Sequence, residues 1–167
     1  MNGSPRANGN TRAMIDAFAE GAREAGHNVD VVNVCRKQVA GCRGCEYCHA
    51  KGDGACVQRD DMAEIVEAIN ASDMLVLASP VYYFGLTAQL QAVVHRLYAQ
   101  GLYPSLRKTA LFLSSGSPDV YDGVVYEYRK TFTEWMKIED AGIFTAHGSQ
   151  NKSEAKLAEL RAFGRSL

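Results

Sequence analysis

Four of the five cysteines stand close together in the chain, in the segment CRGCEYCHAKGDGAC. Cys42, Cys45, Cys48 and Cys56 have the spacing C-x2-C-x2-C-x7-C. Three thiolates spaced in this way suit one face of an iron–sulfur cube, and the fourth follows after a glycine-containing turn. Structural zinc sites more often use two separated cysteine pairs, although His49 offers a further ligand. The spacing indicates metal or redox chemistry. The cysteines could hold a [4Fe–4S] cluster or zinc, or they could remain metal-free thiols.

A polar loop, GSPRANGNT (residues 3–11), precedes a segment whose apolar residues recur at helical spacing. Unpaired N–H groups and the positive dipole end at the start of a helix favour a phosphate. Ser4, Asn10 and Thr11 add side-chain donors, and Arg6 adds a positive charge. No lysine precedes Thr11, so this is not the P-loop pattern and nucleotide hydrolysis is not expected. The alternative is an ordinary helix start after a polar loop.

Two further polar or aromatic loops, SPVYYFG and SSGSPDVYDG, each follow a continuous apolar run of strand length. The aromatic rings of the first, together with backbone donors, could form a flat wall for a planar ring system. The alternative is an aromatic patch buried against a neighbouring helix or subunit.

Strands and helices are predicted to alternate along the chain, which favours a parallel sheet covered by helices on both sides. Ligands of such sheets bind at the carboxyl ends of the strands, where these loops lie. We predict strands at 27–35, 73–80, 107–116 and 141–149, and helices at 11–25, 61–69, 87–98, 124–136 and 152–165.

Length and composition limit the classes of protein to which the chain can belong. The chain has 167 residues, which suits a single domain (1–167) carrying a cysteine-rich loop at 36–59. Its net charge of −1 argues against nucleic acid or an anionic membrane as the main partner. No apolar run approaches the length of about 20 residues that spans a bilayer, and the first residues lack a signal-peptide pattern. A cytoplasmic location is therefore expected.

Taken together, G-S-P-R-x-x-G-N-T, the cysteine-rich loop and S-P-V-Y-Y-F-G resemble the flavodoxin-like NAD(P)H-dependent FMN reductase family, and more narrowly its iron–sulfur flavoprotein branch. The resemblance is specific from residue 3 to about residue 98 and weakens beyond residue 115. It implies a three-layer α/β sandwich with parallel strands in the order 2-1-3-4-5. Only Met1 and Asn2 precede the first loop, so we expect the first, central strand to be missing from this chain.

The resemblance also implies a cofactor and a reaction. FMN would accept hydride from NAD(P)H and pass electrons to an acceptor, and no acid–base residue is nominated. The implied FMN contacts are Ser4, Arg6, Asn10 and Thr11 for the phosphate, and Pro80, Val81, Tyr82, Tyr83, Phe84, Gly85, Ser115, Gly116 and Tyr121 for the ring system.

Further expectations concern assembly and the alternatives to a reductase. A homodimer or dimer of dimers is expected, because FMN in this family often lies at a subunit interface. One alternative is an electron carrier that uses a [4Fe–4S] cluster with ferredoxin as its partner. Another is a non-redox module with a zinc-stabilised loop.

Overall fold

A three-stranded parallel sheet forms the centre of the computed structural model, which describes residues 1–167. The strands are β1 (Met74–Pro80), β2 (Lys108–Ser115) and β3 (Glu139–His147), in that spatial order. Both neighbouring pairs are parallel, with one irregularity in register between Thr109 and Ala110. Continuous apolar runs form β1 and β2 because helices cover both faces of the sheet.

Six α-helices accompany the sheet, and none combines the length and apolar character that crossing a bilayer requires. They are α1 (Asn10–Glu24), α2 (Tyr47–Ala50), α3 (Met62–Asn70), α4 (Ala88–Arg96), α5 (Asp122–Tyr128) and α6 (Glu154–Arg165). The single helix expected over 124–136 is α5 followed by a π-helical segment, Arg129–Trp135. Short 3₁₀ segments lie at Val34–Arg36, Leu97–Ala99 and Gly148–Lys152.

Two apolar cores lie on opposite faces of the sheet. Successive strand residues point to opposite faces, so Leu111 belongs to the core that includes α3 and α4, and Phe112 to the core beneath α1 and α6. The ring of Phe112 packs edge-on against Phe18 of α1, with 5.2 Å between centroids. Helices α1 and α6 can approach closely because residue 164 is a glycine. A Cβ at Gly164 would lie only 2.3 Å from the carbonyl oxygen of Phe18. The layers therefore have the expected α/β/α arrangement.

The prediction of a strand at 27–35 is wrong. Asn2 bridges Asn33 on one side and Ala78 of β1 on the other, both in parallel, but no further ladder forms. Residues 28–32 and the start of β1 instead border a mainly apolar cavity of about 650 Å³. An alternating valine-rich segment becomes a strand only through ladder hydrogen bonds to a neighbour, and here Asn33 alone has a bridge partner. The observed sheet order is therefore β1-β2-β3.

Candidate functional site

Three loops meet at the carboxyl end of the sheet: the first loop (residues 3–9), the aromatic loop (81–87) and the third loop (116–121). The hydroxyl of Thr87 donates to the carbonyl of Gly3 at 2.8 Å. The N–H of Val81 donates to the carbonyl of Ser114, at the end of β2, also at 2.8 Å. These bonds hold the first loop, the aromatic loop and β2 against one another.

The first loop leads into α1 with several backbone donors unused. Gly9 is the N-cap and has no side chain to bond the first N–H groups of the helix. The N–H groups of residues 10–12 therefore have no acceptor in the helix, and those of Ala7 and Asn8 also donate to no backbone oxygen. Free donors at a helix start suit an anion, so phosphate binding by this loop stays a prediction that the local geometry favours.

The predicted phosphate residues differ in what their side chains do. The Ser4 hydroxyl accepts the N–H of Arg6 at 3.3 Å, and the Thr11 hydroxyl lies 2.8 Å from that of Ser114. Both side chains are buried and hold the loop from within. Arg6 is exposed and Asn10 is half-buried, and neither side chain has a hydrogen-bond or ion-pair partner. The side chains of Arg6 and Asn10 are therefore the ones available to a ligand.

Two residues near the first loop were not nominated from the sequence. The ammonium of Lys152 donates to the carbonyl of Asn8 at 3.0 Å, which brings a second cation to the loop. Asn151 is buried, and its amide nitrogen donates to the carbonyls of Ser115 and Gly148. Its Oδ1 atom has no partner. The polar run SQNKS, at the end of the last predicted strand, is the sequence feature that could have pointed to both residues.

The aromatic loop is a tight turn that holds two rings in solvent. Tyr82 and Gly85 exchange backbone hydrogen bonds of 3.0 Å each. The residues between them, Tyr83 and Phe84, have φ angles of 47° and 65°, a left-handed conformation that is rare for aromatic residues. Tyr83 is 101% exposed and Phe84 62%. A strained turn that displays apolar rings is typical of a binding surface.

The third loop is held against β3 by the hydroxyl groups of Tyr121 and of Ser115, the last residue of β2. The Ser115 hydroxyl lies 2.7 Å from both the Tyr121 hydroxyl and the carbonyl of Ser117. Tyr121 in turn donates to the carbonyl of Ala146 in β3 at 3.0 Å. Ser115 and Tyr121 therefore set the shape of the loop, while Gly116 is exposed at its start.

The cysteine-rich loop brings its four cysteines to one small cavity of about 20 Å³, which has room for about one water molecule. Cys42 and Cys45 are exposed, Cys56 is half-buried and Cys48 is buried. No three cysteine, histidine or acidic side chains are gathered closely enough to hold a metal ion. The four thiols thus share a cavity without forming a finished ligand set, and the exposed pair would have to move to complete one.

An ion pair between the buried Arg96 and the half-buried Asp60 closes the base of the cysteine-rich loop. The Arg96 guanidinium bonds both carboxylate oxygens of Asp60, at 2.8 and 3.1 Å, and the carbonyl of Ala40 at 2.9 Å. Asp60 also accepts the N–H of Ala40 at 3.1 Å. The hydrogen bond from Arg96 holds the pKa of Asp60 below the usual carboxyl range. Residues 40 and 60 are thereby fixed beside each other.

Known structures share this architecture. An NAD(P)H:quinone oxidoreductase from Methanothermobacter marburgensis aligns with a TM-score of 0.76 at 19% identity, covering 98% of this chain and 92% of the other. The two-electron reduced flavodoxin of Megasphaera elsdenii aligns with a TM-score of 0.60 at 15% identity, covering 97% and 95%. The predicted flavodoxin-like fold is therefore confirmed.

Curated relatives carry the name iron–sulfur flavoprotein. One from Archaeoglobus fulgidus is 41% identical over 122 residues, which is 73% of this chain and 53% of the relative. Another, from Methanosarcina thermophila, is 38% identical over 96 residues, which is 58% of this chain and 49% of the relative. The chain thus spans about half the length of these relatives.

The family model for NADPH-dependent FMN reductase matches residues 1–151. The match includes the first loop, the cysteine-rich loop, the aromatic loop and the third loop. The resemblance inferred from the motifs is confirmed: the chain belongs to the NADPH-dependent FMN reductase family of flavin oxidoreductases, and it is similar to iron–sulfur flavoproteins.

Proposed function

We propose that this chain binds FMN at the carboxyl end of its sheet and transfers electrons from NAD(P)H to an acceptor. The observation that carries the proposal is the set of unused N–H groups at the start of α1, beside an exposed aromatic turn. FMN, when bound, supplies the capacity to take up hydride and to release electrons. The protein supplies binding, orientation and electrostatics.

The first loop would hold the phosphate. The N–H groups of residues 10–12 point out of the helix start, and the helix dipole adds positive potential there. Arg6 supplies an unpaired guanidinium, and Lys152 brings a second positive charge within 3.0 Å of the loop carbonyl of Asn8. Two cations and several donors match the charge and the oxygen count of a phosphate monoester.

The aromatic loop and the third loop would enclose the ring system. Tyr83 and Phe84 form an apolar surface in the turn, and Gly123 allows α5 to pass close to it, because a Cβ there would lie 2.9 Å from the carbonyl oxygen of Phe84. Rings this exposed would normally be covered in the working protein. We propose that a second copy of the chain covers them, which gives a homodimer with FMN at its interface.

We also propose a [4Fe–4S] cluster in the cysteine-rich loop, held by Cys42, Cys45, Cys48 and Cys56. Support comes from the spacing of the thiols and from the names of the relatives. The exposed Cys42 and Cys45 would have to move to complete the ligand set, since no three such side chains are gathered closely enough in this structure. A cluster accepts and releases single electrons, so a one-electron carrier such as ferredoxin is the partner that fits this chemistry. The four cysteines would act as thiolates, and α2 would carry the buried Cys48.

The first experiment is anaerobic purification of the chain with measurement of FMN, iron and acid-labile sulfide. FMN with about four irons and four sulfides per chain is expected. FMN without iron would overturn the cluster and leave a simple flavin reductase. Zinc in place of iron would favour a structural loop. Absence of FMN after reconstitution with excess FMN would overturn the main proposal. Oxidation of NADPH, followed at steady state with and without ferredoxin, then separates a reductase from a pure carrier.

A further inference from the structure

The mainly apolar cavity of about 650 Å³ lies between two stretches of backbone, the start of β1 and the valine segment (residues 28–32). Both apolar cores of the protein border it. Ile65 and Leu106 line the cavity from one core, and Phe18 and Phe112 line it from the other. Voids larger than a water molecule are few in a packed protein interior. A cavity of this size between two cores therefore points to an apolar occupant.

The first residues of the chain show what kind of occupant fits. The N–H of Asn2 donates to the carbonyl of Val32 at 2.8 Å, and the carbonyl of Asn2 accepts the N–H of Val34 at 3.0 Å. On the other side, the amino group of Met1 donates to the carbonyl of Val76 in β1 at 2.6 Å. These are the slanted hydrogen bonds of parallel strands, made on both sides at once. The first residues thus lie as the end of a strand beside β1.

The amino group of Met1 stands where a strand would place an amide N–H. Burial lowers the pKa of this amino group to about 5, because a charge is costly in an apolar surrounding. An amide N–H at the same position would donate to the Val76 carbonyl without carrying a charge. A peptide bond to a preceding residue would therefore keep the hydrogen bond and remove the cost of the buried charge.

The strand register sets the length of the occupant. Asn2 pairs with Ala78 on one side and with Asn33 on the other, both in parallel. Counted back from these bridges, the positions before the first residue lie opposite residues 74–76 of β1 and residues 28–31 of the valine segment. The cavity is lined by both of these stretches. It therefore has the length of three to four strand residues, which is about 10–13 Å.

We propose that the cavity is a slot for a β-strand, and that its occupant is an extended apolar segment of three to four residues joined to the amino end of Met1. The strand would run parallel to β1, and both of its faces would be buried, so a continuous apolar sequence fits it. It would lead directly into the first loop. A separate peptide would lose translational freedom on binding, which a segment joined to Met1 does not. The proposal concerns the sheet and does not depend on FMN.

The test compares the full chain of 167 residues with the same chain extended before Met1 by Met-Lys-Val-Ile-Val-Val. The extension should raise the Tm measured by calorimetry by about 5–15 °C, because it buries several apolar side chains. Hydrogen exchange of the Val32 and Val76 amides, followed by NMR, should slow by at least about tenfold, because each would gain an acceptor in the new strand. One control replaces the four apolar residues by Ser-Gly-Ser-Gly. A second places proline two residues before Met1 and so removes the N–H that would bond the Met74 carbonyl.

The Ser-Gly extension should leave the Tm and the exchange rates of the 167-residue chain unchanged, and the proline extension should give less than half of the rise in Tm. If the 167-residue chain shows no cooperative transition, a transition that appears only with the apolar extension supports the slot equally well. Equal Tm values for the apolar and Ser-Gly extensions overturn the proposal. Equal stabilisation by the apolar segment added as a free peptide overturns its attachment to Met1 and indicates a separate partner. None of these results bears on FMN binding, which the cofactor measurement described above tests by itself.

Discussion

The Thr11→Val substitution tests whether the Thr11 hydroxyl shapes the first loop or contacts the phosphate directly. Thr11 is 1% exposed, and its Oγ1 lies 2.8 Å from the Oγ of Ser114. Valine has nearly the same shape, so it deletes the hydrogen bond and leaves the Ser114 hydroxyl buried without a partner. Such a group costs about 1–3 kcal/mol of unfolding free energy. For a domain of this size the loss corresponds to a fall of about 2–12 °C in Tm.

The double variant Thr11→Val, Ser114→Ala is the control, because removing both hydroxyls leaves no orphaned group. Its unfolding free energy should return to within about 1 kcal/mol of the native value. Urea titration followed by circular dichroism gives the unfolding free energies, and fluorescence titration gives the Kd for FMN. The Kd of Thr11→Val should stay within about threefold of the native chain, since in the proposed site the backbone N–H groups hold the phosphate. Native stability with a large loss of FMN affinity would refute the reasoning.

Three further predictions use matched controls. Arg6→Ala should raise the Kd for FMN about 10- to 100-fold, because it removes one charge-assisted hydrogen bond. Arg129→Ala should not change the Kd, and equal effects of the two substitutions would contradict the assignment of Arg6 to the phosphate. Gly3→Ala places a Cβ 2.9 Å from a side chain of α4 and should lower the Tm measured by calorimetry, whereas Gly41→Ala meets no atom within 4 Å and should not. The pKa of Asp60 is lowered on folding, so the unfolded chain binds the proton first and stability falls with pH below the ordinary carboxyl pKa of about 3.9. Asp60→Asn should flatten this decline in urea midpoints measured across acid pH, and an unchanged slope would count against the ion pair.

Features that depend on neighbouring residues in the chain could be predicted from the sequence. The run DMLVLASP predicts a strand buried on both faces, and β1 occupies Met74–Pro80. The helix after the first loop was predicted at 11–25 and is found at Asn10–Glu24. The first loop and the aromatic loop were identified because each is a short run of unusual composition beside a regular element.

Features that depend on partners far along the chain could not be predicted. The valine-rich segment at 27–35 has a strand pattern, but a strand needs a paired neighbour, and only Asn33 has one. The ion pair of Arg96 with Asp60 joins residues 36 apart, and the contact of Lys152 with the first loop joins residues 144 apart. No local pattern marks such pairs, so residues that hold or complete a site were missed.

The residues described around the candidate site fall into two groups, according to whether their polar atoms already have hydrogen-bond partners. The hydroxyls of Ser115 and Tyr121 bond within the protein, and their work is to fix a loop. The guanidinium of Arg6, the Oδ1 of Asn151 and the Nε of Arg96 have no partner. Buried or preorganised groups left unsatisfied are where binding gains most, since the desolvation cost is already borne by the fold. The contacts of the proposed FMN site should therefore be sought first among these unpartnered atoms.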